Sequence, residues 1–106
     1  MEPNVAQVPA FRAGECYYRL LYLEGALTQP VIDTYVYLGL NLSDDEEDTW
    51  YFQDTTSYNV SGPVTESGDE NAAVFSFKLG ELGSILDLYT LTQELIANLK
   101  RQYGTT

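Results

Sequence analysis

Five adjacent carboxylates, Asp44, Asp45, Glu46, Glu47 and Asp48, are followed almost at once by Trp50, Tyr51 and Phe52. Oxygen ligands at that density suit a hard cation, and calcium takes about six to eight of them. The helix-loop-helix calcium motif also needs a glycine at its sixth position and a glutamate at its twelfth. Counted from Asp44, the acids Asp44, Glu46 and Asp48 fit, but Thr49 stands sixth and Thr55 twelfth. Counted from Asp45, Trp50 stands sixth. The motif is absent. What remains is a weak cation site at Asp44, Glu46 and Asp48, with no dedicated metal site and no cofactor expected.

A second chemistry for such a run is imitation of nucleic-acid phosphates. Alternate residues of a strand lie roughly 6.5 to 7 Å apart, comparable to successive phosphates. Strand positions carry few acids here, Asp33 and Asp54, and the rest cluster in loops. The third reading is a solvated turn whose charge deters edge-to-edge association of sheets.

Catalysis is poorly provided for. The chain has no histidine, which removes the commonest general base, the Ser-His and Cys-His nucleophile pairs and the usual zinc ligand. Cys16 lies in an apolar run and reads as a small core residue. Gly80-Glu81-Leu82-Gly83 has the spelling of a nucleic-acid-clamping loop, but Glu81 sets a negative charge where phosphate would lie. Paired carboxylates could run glycoside hydrolysis, yet no spacing selects two from the sixteen acids. The expectation is a non-enzyme.

Charge is the most informative feature. The five bases are Arg12, Arg19, Lys78, Lys100 and Arg101, so none falls between positions 20 and 77. That window holds Glu24, Asp33, Asp44, Asp45, Glu46, Glu47, Asp48, Asp54, Glu66, Asp69 and Glu70. Acids elsewhere balance the bases, so the net charge of −11 comes from the middle of the chain. Such segregation produces a directed negative field. It repels nucleic acid, whose binding begins with lysine and arginine on phosphates, and attracts a basic protein surface.

Length and composition place these residues on one domain. The chain of 106 residues is 44% hydrophobic and 13% aromatic, whereas acidic disordered chains are usually poor in aromatics. One cysteine makes no intrachain disulfide. The first residues lack a basic, apolar leader, and no apolar run approaches the roughly 20 residues that cross a bilayer. A cytoplasmic protein with no membrane association is expected.

Residues 1–14 read as an extended N-terminal arm and 15–106 as a single α+β domain. Residues 16–24 form an almost continuous apolar run, suited to a central strand. Residues 31–40 alternate, with Ile32, Val36, Leu38 and Leu40 on one face and Asp33, Tyr35 and Tyr37 on the other. Further strands are expected over 49–55 and 72–79, with a long loop over 58–71 that holds at most a short strand. From Ser84 onward, Ile85, Leu88, Leu91, Leu95, Ile96 and Leu99 share one helical stripe. Ser84 and Asp87 approximate a capping box at its start. The fold expected is an antiparallel sheet of four or five strands with one C-terminal amphipathic helix packed across one face.

These elements bring Asp33, Tyr35, Tyr37, Asp44, Asp45, Glu46, Glu47, Asp48, Trp50 and Tyr51 forward as a partner-binding set. Tyr and Trp beside complementary charge are common anchors of protein recognition. The alternative for Tyr35, Tyr37 and Trp50 is a second core face, packed against the arm or the 58–71 loop. The leading functional expectation is a small acidic module that docks on a basic protein, in the manner of an inhibitor or a toxin-immunity protein. A small-ligand or divalent-cation module is the first alternative, and a non-catalytic subunit of a larger assembly the second. The sequence leaves the oligomeric state open, with a dimer among the options.

Overall fold

Apolar alternation and aromatic content build four strands: β1 (Cys16–Tyr22), β2 (Pro30–Leu40), β3 (Thr49–Asp54) and β4 (Val74–Lys78). They are seen in a computed structural model that describes residues 10–22, 30–43 and 47–103. The strands pair in chain order, β1-β2-β3-β4, and every pair is antiparallel. Two short helices, α1 (Thr55–Ser61) and α2 (Val64–Ser67), connect β3 to β4. A 3-10 segment, Leu79–Ser84, leads from β4 to the C-terminal helix α3 (Leu88–Tyr103), which packs against β1. The expected α+β class and its C-terminal helix are thus present.

Register decides where the core sits. Tyr17 lies opposite Tyr35, Tyr37 opposite Phe52, and Trp50 opposite Phe77, so one face carries a band of rings. Phe11 packs on that band, 4.8 Å from the Tyr17 ring and 5.4 Å from Phe52. Leu82 and Ile85 complete the same buried cluster. Edge-to-face geometry recurs throughout it, including Tyr17–Phe52 and Phe52–Phe77. Each such pair contributes about 0.5–1.5 kcal/mol beyond its area burial.

The face assignment made from alternation is therefore corrected. Tyr35 and Tyr37 point into the core, while Ile32 and Leu40, expected under the helix, are exposed. Period-two alternation finds two faces but cannot say how far each is covered: on the other face Val36 is buried, as expected, beside Gln53, and a bulge after Tyr37 carries Leu40 to the Trp50 side. The α3 stripe is only partly used: Leu91 is buried, but Leu88, Ile96 and Leu99 stay exposed. Cys16, expected in the core, is also exposed.

The expected 58–71 loop is instead largely helical. Asp54 caps α1 by accepting from the Ser57 amide at 2.9 Å, and Gly62 ends it. The Ser57 hydroxyl and the Ser57 and Ala73 amides hold the Asp54 carboxyl below the ordinary carboxylate range. Pro63 then opens α2, and Gly68 closes it in the left-handed conformation at φ 66°, where glycine carries no Cβ penalty. The start of α3 shifts as well. Asp87, not Ser84, is the cap, with Oδ1 accepting from the Thr90 amide at 2.8 Å. Ser84 belongs to the 3-10 segment. The helix end expected at Gly104 lies outside the described residues, as do Leu23 and Glu24 of the first expected strand.

On the opposite face of the sheet, Gln53 is 0% exposed. Its Nε2 donates to Ser57 Oγ at 2.9 Å and to the Gly62 carbonyl at 3.2 Å. Its Oε1 accepts from the Val64 amide at 2.7 Å. One side chain thereby ties β3 to both ends of the α1–α2 connection.

Candidate binding surface

The acidic run is carried on the β2–β3 connection, whose base is rigid. Asn41 clamps it, donating from its amide to the Thr49 carbonyl at 2.7 Å and accepting from the Thr49 amide at 2.8 Å through Oδ1. Asn41 and Asp48 both adopt positive φ, 53° and 49°, a conformation that Asn and Asp tolerate better than most residues. Thr49 Oγ1 and Lys78 Nζ donate to the Glu47 carbonyl at 3.2 and 3.3 Å. Lys78 also donates to Thr49 Oγ1. These bonds consume backbone acceptors and leave the Glu47 and Asp48 side chains exposed. Asp44, Asp45 and Glu46, two of which belong to the cation site expected at Asp44, Glu46 and Asp48, lie outside the described residues. Among the described residues, no group of three or more Asp, Glu or Cys is arranged to hold a metal.

The aromatic half of the expected site is not on the surface. Tyr35 and Trp50 are each 4% exposed, and Tyr37 is buried beside them. All three belong to the core cluster, which is the alternative that the sequence had left open for them. Phe11 from the N-terminal side supplies part of the cover, 5.3 Å from the Tyr37 ring. Asp33 is half-buried and accepts from the Tyr35 hydroxyl at 3.4 Å. Tyr51 is half-buried on the opposite face, its hydroxyl 3.4 Å from Ser43 Oγ.

The apolar residues beside the acids are Leu40 and Leu42, each 45% exposed. A bulge between Tyr37 and Gly39 turns the strand end, and Leu42 folds over Gly39. A Cβ at position 39 would sit 3.0 Å from Leu42 Cδ2. Alternation places Leu40 in the core and carries no signal for Leu42. The Asn41 and Gly39 flanks were the only signal that the strand ends in a bend here.

Folding also divides the acids. Glu47 and Asp48 lie at one end of β3, whereas Glu66, Asp69 and Glu70 lie at the other, on α2 and the turn into β4. Asp69 is partly engaged, accepting from Ser61 Oγ at 3.0 Å and from the Asn71 amide at 2.9 Å. The single ion pair among the described residues joins Arg12 to Glu15 at 3.8 Å and takes no carboxylate from either group. Arg19 faces Asp33 across β1 and β2, but its guanidinium lies over the Phe77 ring, 5.8 Å from the centroid.

Burial pushes the Tyr35 and Tyr37 phenols above the ordinary tyrosine range, with the Asp33 charge adding to the effect at Tyr35. A folded-state value above the unfolded one means stability is intact below about pH 10 and is lost as pH rises through the folded values. Denaturant midpoints measured from pH 8 to pH 11.5 should therefore fall on the alkaline side. A Tyr35→Phe/Tyr37→Phe variant should show a smaller fall.

Comparison with protein-family models, curated proteins and solved structures finds no match. Among the described residues, no helix is long and apolar enough to cross a membrane.

Proposed function

We propose that this chain is an acidic protein-binding module that docks on a basic protein surface, in the manner of an inhibitor or immunity protein. The observation that supports this reading is the lack of internal neutralisation. Among the described residues, no carboxylate of the acidic middle lies within ion-pair distance of a lysine or arginine. Natural surfaces usually intersperse opposite charges, and a field left uncompensated on a rigid frame favours rapid capture of an opposite charge. Glu47 and Asp48 supply the charge on a clamped turn, with apolar contact beside it from Leu42 and the edge of Tyr51 on one face and from Leu40 on the other. Tyr35, Tyr37 and Trp50 act as the scaffold behind this surface.

The test is capture of partners from native lysate at low salt and at about 0.5 M salt, where screening is severe. One basic protein, held in stoichiometric amount and lost at high salt, is the expected result. With that protein purified, Glu47→Lys/Asp48→Asn, which keeps a residue tolerant of positive φ at position 48, should slow association on the order of 10-fold or more while leaving the melting temperature unchanged. Equal association by wild type and variant would remove the β2–β3 turn from the interface. No salt-sensitive basic partner at all would sink the reading.

A further inference from the structure

We propose that the outer edge of β4 pairs with the same edge of a second copy, about a twofold axis centred on Phe75, to join the two sheets. The Asp54 amide donates to the Ala73 carbonyl at 3.0 Å, which sets the alternation along β4. Backbone groups of Ala73, Phe75 and Phe77 face β3, and those of Val74, Ser76 and Lys78 face outward. The Lys78 amide is already taken by Glu81 Oε1 at 2.8 Å. The N–H and C=O groups of Val74 and Ser76 are left as an open row. The opposite edge of the sheet is treated differently, because Leu86 bridges Tyr18 there through bonds of 2.8 and 2.7 Å.

Edges are normally blunted by charge, proline or a covering element. Residues 71–77, Asn-Ala-Ala-Val-Phe-Ser-Phe, contain no charge and no proline. Val74 and Phe75 are 45% and 37% exposed. An antiparallel second copy centred on Phe75 sets Val74 of each chain opposite Ser76 of the other. Those pairs exchange all the open donors and acceptors, and none needs the capped Lys78 amide. The two Phe75 residues then meet at a non-hydrogen-bonded site, where side chains approach most closely. Each already packs 5.1 Å from a Tyr35 ring, so the contact continues the aromatic layer. Charge agrees with this direction. Asp69 and Glu70 precede β4 and Lys78 ends it, so the antiparallel arrangement brings Lys78 toward the other copy's acidic turn. The Lys78 ammonium is held on the Glu47 carbonyl and the Thr49 hydroxyl of its own chain but has no carboxylate within ion-pair distance among the described residues, so it retains an uncompensated charge.

This surface is independent of the proposed basic partner and responds oppositely to salt. Two chains of net charge −11 repel one another, so screening strengthens self-association, whereas it weakens capture of a basic protein. Sedimentation equilibrium from about 10 μM to about 1 mM should show a monomer–dimer equilibrium whose dimer fraction rises between low and about 0.5 M salt. Ser76→Pro removes an outward N–H at a position where an edge strand accepts proline, and should weaken dimerisation about 10-fold or more. Val74→Lys, which adds like charge at the edge, gives the same readout should proline lower the melting temperature. In a Cys16→Ser background, Phe75→Cys should cross-link under mild oxidation and Ser76→Cys should not. A chain that stays monomeric throughout, a dimer indifferent to both edge variants, or no Phe75→Cys cross-link would each overturn the proposal.

Discussion

A Phe52→Ala variant is expected to lose about 3–5 kcal/mol, the usual cost of truncating a fully buried phenylalanine. Phe52 is 0% exposed and its ring meets those of Phe11, Tyr17, Tyr35, Tyr37 and Phe77. Those partners come from each of the other three strands and from the chain before β1, so the cavity left behind cannot close by moving one element. A domain of this size typically has about 5–15 kcal/mol of stability, and the variant should sit near its unfolding threshold at room temperature. Chemical denaturation of wild type and variant measures the difference. A loss below about 1 kcal/mol would show that the rings rearrange to fill the space.

The second large effect is expected at Gln53. Gln53→Ala strands the Val64 amide and the Gly62 carbonyl, and an unpaired buried polar group costs about 1–3 kcal/mol. A loss of roughly 2–4 kcal/mol follows, with the melting point lowered by about 8 °C or more at about 4–8 °C per kcal/mol. Gln53→Glu keeps the shape and the acceptor for Val64 but loses the donors to Ser57 and Gly62, and it buries a charge. It should destabilise at least as much at neutral pH and recover partly as the carboxyl is protonated. Hydrogen exchange at the Val64 amide reports directly on the bond, and unchanged protection in Gln53→Ala would contradict the assigned role.

The strands were legible because their signal is local. Tyr35 and Tyr37 alternate with Val36 and Leu38 whatever lies above them, and turn residues mark the strand ends. Which face would be covered was not legible, because the cover comes from Phe11 on one side of the sheet's sequence and from Leu82 and Ile85 on the other. The α1–α2 connection was missed for a different reason. Ser-Gly-Pro reads as a break, and it is one, but Asp54 and the buried Gln53 gather the flanking turns into helices through contacts that no periodicity encodes. At the candidate surface the charge was visible directly. Its division between the two ends of β3 was not, since it depends on the hairpin's course rather than on composition.

The strict chain-order pairing of the strands has a kinetic consequence. Each strand meets a neighbour made just before it, so loop-closure costs are low and folding of the sheet is expected to be fast for a β-rich protein. On a ribosome adding about 5–20 residues per second, the hairpins can zip in the order of synthesis. The aromatic face stays wet until Leu82 and Ile85 emerge to close over it beside Phe11. During that interval the uncovered rings, with the uncharged Val74–Phe77 edge beside them, are accessible to other nascent chains. The acidic stretch made just before it then acts as a gatekeeper, holding those chains apart by repulsion until the lid is in place.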